Sequence, residues 1–304
     1  MRVVLAVFLC LAFFCQASAA YEVDVNKKIA ECNQFIKNEM PEKALDFSSQ
    51  LLKKNAKNRD VVLCKARAQL ALNLFSEAVS TLTMADLLSN SPNEHMMSLA
   101  MLGNAYKGAQ QFAEAITSYQ KSLAIAKSQM NKNFERIAYG LIGEAQTLNN
   151  QYDDAILSYQ SALKLGLNDN ERADSFEHIA SIYNLQKKHN QAIEYQVKAT
   201  LAYTHYGDLD AQANAGLELG LYYMNAGEYG PAEKAINKIL KLAVDNGGAY
   251  WEAKSSLYLA NLKIANNQIA EAKTLLERAQ KLNLEVGDAI LAESISTVLN
   301  KLSK

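Results

Sequence analysis

The chain has 304 residues, of which 49% are hydrophobic and 21% are charged. Its 31 Lys and Arg residues nearly balance its 32 Asp and Glu residues, so the formal net charge is −1. Such a balance gives no general attraction for nucleic acid or anionic lipid, and we expect neither as a partner.

The first twenty residues predict a secretory signal peptide. Arg2 precedes an apolar run over 3–14, and the small residues Ala17, Ser18, Ala19 and Ala20 follow shortly after it. The run is shorter than the roughly 17–25 apolar residues of a membrane anchor, so we expect cleavage near Ala19 or Ala20. No later stretch is long and apolar enough for integral membrane insertion. The sequence therefore predicts an extracytoplasmic protein, either periplasmic or secreted.

Two cysteines, Cys32 and Cys64, remain after this cleavage. An oxidising compartment permits a disulfide between them, but the sequence gives neither their Cα separation nor their directions. We therefore favour two unpaired cysteines, with Cys32 as a small core residue. A structural disulfide is the alternative, and there is no CxxC pair or zinc-ligand spacing.

Alanine recurs through the rest of the chain at intervals of 34, 37 or 40 residues, each time with a second small residue twelve positions earlier. The alanines are Ala44, Ala78, Ala115, Ala155, Ala192, Ala232 and Ala272, and the earlier residues are Cys32, Ala66, Gly103, Gly143, Ala180, Gly220 and Ala260. Small residues at two fixed phases mark close helix crossings, where the axes lie roughly 8–10 Å apart. The spacing predicts an all-α fold, a right-handed superhelix of seven helix hairpins.

The repeats follow one another without a linker that would separate a second domain. Their approximate bounds are 25–58, 59–92, 96–132, 136–170, 173–209, 213–247 and 253–286. Beyond them, Leu291, Ile295 and Val298 fall on one helical face, which predicts a capping helix over 288–304. We therefore predict one solenoid over 21–304.

Short polar segments are expected to form the turns within repeats. Examples are Asn149-Asn150, Lys187-Lys188 and Asn266-Asn267. Gly207 and Gly287 follow predicted helices, and we expect both to take the left-handed conformation that ends a helix. The aspartate after each glycine is expected to cap the next helix.

The third and fourth repeats show the fullest pattern. The third contains Leu102-Gly103-Asn104-Ala105-Tyr106, and the fourth contains Tyr152-Asp153-Asp154-Ala155-Ile156. These strings resemble the tetratricopeptide repeat, and phased copies cover nearly the whole chain after residue 20. The longer copies resemble repeats of kinesin light chains and G-protein-signalling modulators. Ser48 and Gln196 depart from the pattern, since an aromatic side chain would close the second helix there.

The resemblance implies that the first helices line a concave groove in which a ligand binds. The candidate peptide-binding residues, at the ninth and twelfth repeat positions, are Asn33, Arg67, Asn104, Lys107, Glu144, Ser181, Asn184 and Asn261. Asparagine offers donors and acceptors, so a row of asparagines can hold a peptide backbone without reading its sequence. The alternative is a solvated polar stripe. Ile29 and Leu63 stand where a carboxylate clamp would need lysine, which disfavours a chaperone tail as the ligand.

We find no catalytic motif, no metal-ligand cluster and no phosphate-binding loop, so we predict no enzyme and no cofactor. The leading hypothesis is an extracytoplasmic scaffold that binds a protein or peptide segment, for example as an assembly factor for envelope or secretion machinery. A self-associating structural solenoid is the alternative. An enzyme with a pocket floored by Tyr250 and Trp251 is more distant, since we expect that pair to pack on the sixth repeat. The sequence leaves the oligomeric state open.

Overall fold

A computed structural model describes residues 24–302 of the chain. Every regular element in this range is an α-helix, which confirms the predicted all-α class. The predicted signal peptide, residues 1–20, lies outside the described residues. The chain divides into two compact units between Asn150 and Gln151. Each is described by itself, and the single solenoid over 21–304 stays a prediction.

The first unit contains seven helices within its described residues, 24–150. They are α1 (24–37), α2 (Pro41–Lys54), α3 (Arg59–Ala71), α4 (Phe75–Leu87), α5 (Pro92–Gly108), α6 (Phe112–Ser128) and α7 (Lys132–Leu148). From α2 onwards, each helix packs against the next one along the chain. The odd-numbered helices are the first helices of the repeats.

The second unit contains eight helices over its described residues, 151–302. They are α8 (Tyr152–Leu165), α9 (Asp169–Leu185), α10 (His189–Tyr206), α11 (Leu209–Asn225), α12 (Tyr229–Asp245), α13 (Ala249–Ala265), α14 (Ile269–Val286) and α15 (Ala289–Leu302). Successive helices again pack together. Leu291 and Ile295 of α15 are buried in one core with Leu276 and Ala279 of α14, so α15 covers the last hairpin.

The repeated small residues lie where side chains from the paired helix come closest. All seven recurring alanines are fully buried. A Cβ atom on Gly103 would overlap the ring of Tyr119, and one on Gly220 would overlap the side chain of Ile236. Tyr119 and Ile236 each lie one helical turn after the repeated alanine. The small residue on the first helix therefore makes room for a large side chain on the second.

Each turn within a repeat contains one residue with a positive φ, in the left-handed region of backbone conformation. These residues are Glu39, Asn73, Gln110, Asn150, Lys187, Gly227 and Asn267. In the second repeat, the Leu74 N–H donates to the carbonyl of Gln69 over 2.9 Å, and the Asn73 N–H donates to that of Leu70 over 3.1 Å. This pair of bonds satisfies the carbonyl groups at the helix end, which explains a turn of constant shape.

The prediction for the two helix-ending glycines was right for one and wrong for the other. Gly287 is left-handed, with φ of 76°, but Gly207 is extended, with φ of −77° and ψ of 144°. A Cβ atom on Gly207 would crowd the carbonyl oxygen of Tyr203, so close approach is the reason for glycine there. Asp208 caps α11 as expected, accepting from the Ala211 N–H over 2.8 Å.

Cys32 and Cys64 form a disulfide between α1 and α3, so the favoured prediction of unpaired cysteines was wrong. Their Cα atoms are 6.4 Å apart, within the range that a disulfide requires. Both residues are buried in the core of the first two repeats. The stacking of α1 on α3 creates this approach, and helical periodicity alone does not give the distance.

Candidate functional site

In the first unit, the candidate binding residues connect neighbouring first helices. Arg67 of α3 donates from Nη1 to Oδ1 of Asn33 on α1, over 2.9 Å. Lys107 of α5 forms an ion pair with Glu144 of α7, with 2.6 Å between Nζ and Oε2. The structure therefore brings four of the predicted residues together as two pairs, each of which joins the first helices of adjacent repeats.

Asn104 is held by the second helix of its own repeat. The Tyr119 hydroxyl donates to Oδ1 of Asn104 over 2.7 Å. Tyr119 is fully buried, and this burial raises the pKa of its hydroxyl well above the usual value. The hydroxyl therefore stays neutral and can donate at ordinary pH. Because Asn104 itself is exposed, a buried donor orients an exposed carboxamide.

The second unit brings two of its three predicted residues into polar contacts. Asn184 of α9 accepts at Oδ1 from Nδ2 of Asn225 on α11, over 3.0 Å. Ser181, one turn earlier on α9, hydrogen-bonds the Tyr222 hydroxyl of α11. Asn261 lies half-buried on α13, and within the described second unit it makes no hydrogen bond with Ser181 or Asn184.

The same hydrogen-bonding pattern recurs at three asparagines, Asn33, Asn104 and Asn184. Each uses its Oδ1 atom as the acceptor of an internal hydrogen bond. The Nδ2 group of each asparagine, which carries two N–H donors, makes no hydrogen bond within residues 24–302. The first helices therefore present amide donors, a chemistry that suits carbonyl or carboxylate oxygen atoms.

A second set of polar residues lies on the first helices of the second unit and was not among the predicted site residues. It comprises Glu177, Glu218 and Lys254. Glu177 of α9 accepts from the Tyr203 hydroxyl over 3.0 Å, and burial raises the pKa of Glu177. Burial also raises the pKa of Glu218 on α11, while the charge of Lys254 on α13 partly offsets that effect. Burial lowers the pKa of Lys254.

Only part of this second group was visible in the sequence. The repeat phase places Glu177 at the fifth position of its first helix, a groove position in the resembled family. Its half-burial depends on Tyr203 and Gln196, which come from α10. Periodicity assigns a residue to a face of its helix but does not report which side chains of another helix cover it.

The adjacent aromatic residues of the seventh repeat belong to the core, as predicted. Trp251 is buried in one cluster with Ala213 and Leu217 of the sixth repeat. Its Nε1 atom donates to Oδ1 of Asp210 over 2.5 Å. The structure confirms that this pair packs on the sixth repeat, and the indole of Trp251 is not the open floor of a pocket.

Within residues 24–302, no group of three or more His, Cys, Asp and Glu side chains could hold a metal ion. Among the helices of that same range, none combines the length and the apolar character that crossing a bilayer requires.

This chain is similar to known proteins both in sequence and in structure. Two family models described as tetratricopeptide repeat match residues 95–167 and 173–204, and no curated protein matches the sequence. RapI in its apo form is similar in structure, with a TM-score of 0.68 and 14% identity over 92% of this chain and 82% of that chain. BtubC from P. vanneervenii is also similar in structure, with a TM-score of 0.57 and 14% identity over 74% of this chain and 92% of that chain.

The resemblance to kinesin light chain repeats also has structural support. Kinesin light chain TPR-like repeats from Podosopora anserina align with a TM-score of 0.57 and 18% identity, over 66% of this chain and 99% of that chain. At such identities these likenesses show the fold alone. They agree with the helix hairpins described above and with the two matched segments.

Proposed function

We propose, from the premise that the chain is a tetratricopeptide-repeat protein, that it holds a protein or peptide segment along its first helices. The fold itself suggests a protein–protein interaction scaffold, since stacked repeats offer an extended surface for a partner. Such proteins are generally non-catalytic, and we assign this chain a binding role rather than an enzymatic one.

One observation carries the proposal, namely that all three asparagines accept an internal hydrogen bond at Oδ1 and leave the amide donors available. Arg67 and the buried Tyr119 hydroxyl hold the Oδ1 atoms of Asn33 and Asn104, so these carboxamides are oriented before a ligand arrives. Preorganised donors lose less conformational freedom on binding than free side chains do. A peptide main chain carries a carbonyl acceptor at every residue, which makes a main chain the matching ligand.

The charged pair of the first unit would adjust the ligand preference. The side chains of Lys107 and Glu144 are 22% and 43% exposed, and an ion pair this accessible contributes only about 0–1 kcal/mol to stability. Either side chain can therefore leave the other for a ligand group at low cost. Arg67 adds a cation on α3.

The proposal includes an extracytoplasmic location. It is supported by the signal-peptide pattern of residues 1–20 and by the Cys32–Cys64 disulfide, because disulfides persist mainly in oxidising compartments. In that location we propose a partner that belongs to envelope or secretion machinery, whose assembly this protein assists. This last step rests on analogy with other secreted repeat proteins.

The test replaces asparagine by aspartate, which keeps the acceptor oxygen and removes the amide donors. Asn33→Asp and Asn104→Asp retain the bonds from Arg67 and Tyr119, so we expect an intact fold. Each lost donor should cost about 0.5–1.5 kcal/mol of binding free energy. Capture of partners from the native compartment is compared among the wild type, the double variant and the control Asn237→Asp, which changes an exposed residue on the second helix α12.

We expect the double variant to lose partners that the wild type and the control retain. Equal capture by all three proteins would contradict groove binding through these amides. Light scattering on the same samples then decides the alternative, since a structural solenoid that self-associates would form oligomers without any captured partner.

A further inference from the structure

We infer that the Cys32–Cys64 disulfide positions the Asn33 amide, so that ligand binding at the first repeat depends on the oxidation state of the two cysteines. The inference rests on the proposed function for what Asn33 does, and it adds how that residue is controlled. It gives the bond a role in the binding site as well as in stability.

The disulfide and the asparagine belong to one junction between α1 and α3. Cys32 and Asn33 are consecutive on α1, and Arg67 follows Cys64 by three residues on α3. The disulfide joins Cys32 to Cys64, and Nη1 of Arg67 donates to Oδ1 of Asn33 over 2.9 Å. Residues three apart are neighbours on a helix surface. The covalent bond therefore fixes the two backbones beside the hydrogen bond that orients Asn33.

The third repeat orients its own asparagine without a disulfide. There Gly103 makes room for the Tyr119 ring, and the Tyr119 hydroxyl donates to Oδ1 of Asn104 over 2.7 Å. The donor comes from the second helix of the same repeat, and the ring that carries it is fully buried. Packing inside one hairpin is therefore enough to hold Asn104.

The first repeat has neither part of that arrangement. Cys32 and Ser48 stand at the repeat phases that the glycine and the tyrosine occupy in the third repeat. Ser48 is fully buried, and its hydroxyl donates to the carbonyl of Leu45 on its own helix over 3.1 Å. The donor to Asn33 comes instead from Arg67, which belongs to the next repeat. The orientation of Asn33 thus depends on how α1 lies against α3.

Little apolar packing holds α1 in that place. Within the described residues of α1 and α2, the buried ones are Val25, Cys32, Ala44 and Ser48. The helices α5 and α6 bury larger side chains, among them Met96, Leu99, Leu102, Tyr119 and Leu123. Stabilisation by burial grows with the apolar area removed from water, so the first hairpin gains less from packing. The disulfide supplies an attachment of α1 to α3 that does not depend on large side chains.

Reduction would remove this attachment. One thiol of a dithiol reagent attacks a sulfur atom of the bond, and its second thiol then closes the disulfide of the reagent. Two electrons and two protons pass to the chain, which leaves Cys32 and Cys64 as thiols. Because α1 can then shift against α3, Asn33 loses its fixed relation to Arg67. Disulfides persist mainly in oxidising compartments, so the first repeat would offer an oriented amide only there.

The test follows the side-chain amide of Asn33 by nuclear magnetic resonance, in the purified protein labelled at asparagine. Because both cysteines are buried, the reduced protein is refolded from denaturant with dithiothreitol, and the oxidised protein is refolded without it. We expect the Asn33 amide resonances to shift and broaden on reduction, while those of Asn104 stay unchanged. A bond that only stabilises the fold would lower the melting temperature and leave both amides unchanged well below it. Identical Asn33 resonances in the two states would overturn the inference.

A rescue variant transfers the arrangement of the third repeat to the first. Cys32→Gly, Ser48→Tyr and Cys64→Ala together supply the glycine and the tyrosine that hold Asn104. The matched control is Cys32→Ala with Cys64→Ala, which breaks the bond and supplies no tyrosine. We expect narrow Asn33 resonances in the rescue variant with or without dithiothreitol, and broad ones in the control. A control that keeps the wild-type resonances, or a rescue variant that behaves like the control, would contradict the inference.

A ligand titration separates this inference from the proposed function. The probe is a blocked peptide of alternating glycine and serine, which supplies main-chain carbonyl groups without charged side chains. We expect it to shift the amides of Asn33 and Asn104 in the oxidised protein and only that of Asn104 in the reduced protein. The apparent Kd should rise by about twofold to tenfold on reduction, as the loss of one hydrogen bond implies.

The two proposals fail on different results of that titration. If the peptide shifts neither amide in the oxidised protein, main-chain binding fails, while the positioning of Asn33 is still decided by the spectra of the free protein. If the peptide shifts Asn33 equally in the oxidised and reduced proteins, the amide needs no disulfide, and the positioning role is refuted while the proposed function stands.

Discussion

Gly103 of α5 and Tyr119 of α6 are in direct contact, so close that a Cβ atom on the glycine would overlap the tyrosine ring. The same tyrosine carries its hydroxyl to Asn104, the next residue along α5. A packing requirement and a candidate binding residue are therefore linked through one side chain. The small residue lets the ring enter, and the ring orients the neighbouring carboxamide.

Gly103→Ala should destabilise the first unit. The added methyl group must displace the buried Tyr119 ring, which we expect to cost about 1–3 kcal/mol of unfolding free energy. Gly140→Ala is the matched control, because a Cβ atom there meets open space and alanine is the better helix former by about 0.5–1 kcal/mol. Urea unfolding measures both. Equal effects of the two changes would show that Tyr119 does not constrain Gly103.

The disulfide should stabilise the first two repeats. Replacing both Cys32 and Cys64 with alanine should lower the unfolding free energy by about 2–4 kcal/mol, since the bond restricts the unfolded chain. Because both cysteines are buried, a thiol reagent should label the native protein only after reduction under denaturing conditions. Mass spectrometry checks the labelling. Two thiols that react with the unreduced native protein would contradict the bond.

Glu177→Gln should raise stability at neutral pH. Burial raises the pKa of Glu177 in the folded state, so the ionised form is disfavoured there and the wild type regains stability as the pH falls through that raised value. The variant has no ionisable group at this position. Its advantage in unfolding free energy over the wild type should therefore shrink as the pH approaches 4.5, the ordinary pKa of glutamate. Denaturant unfolding at a series of pH values measures the difference. An advantage that is absent at neutral pH, or that grows on acidification, would disprove this reasoning.

Two isoleucines on α15 test its role as the cover of the last hairpin. Ile295 is 1% exposed and Ile290 is 77% exposed. Ile295→Ala should cost about 2–5 kcal/mol, whereas Ile290→Ala should remain within about 0.5 kcal/mol of the wild type. Thermal unfolding compares them. If both variants have the melting temperature of the wild type, α15 is an appended helix that does not stabilise the unit.

The helical class and the hairpins could be predicted because their signals are local. A small residue recurs at a fixed phase, as at Gly103 and Ala115, and polar pairs such as Asn266-Asn267 break the periodicity where a turn is needed. The left-handed residue of that turn is Asn267, and asparagine tolerates this conformation better than most residues do. Signals of this kind require no knowledge of other helices.

What the sequence could not predict depends on contacts between helices. The approach of Cys32 to Cys64 depends on how α1 stacks on α3. The candidate asparagines follow from repeat phase together with the groove positions that the family resemblance implies. That Asn104 has its oxygen engaged and its amide free follows only from the reach of Tyr119, fifteen residues later in the chain.

The central claim is that the first helices bind a partner through asparagine amide donors. The most direct measurement follows the side-chain amide resonances of Asn33 and Asn104 by nuclear magnetic resonance, in protein labelled at asparagine, while a captured partner is added. We expect both Nδ2 groups to shift downfield in proton frequency and to become protected from solvent exchange, while Asn237 on α12 stays unchanged. Unchanged resonances of Asn33 and Asn104 at saturation, with shifts confined to the second helices, would contradict the account.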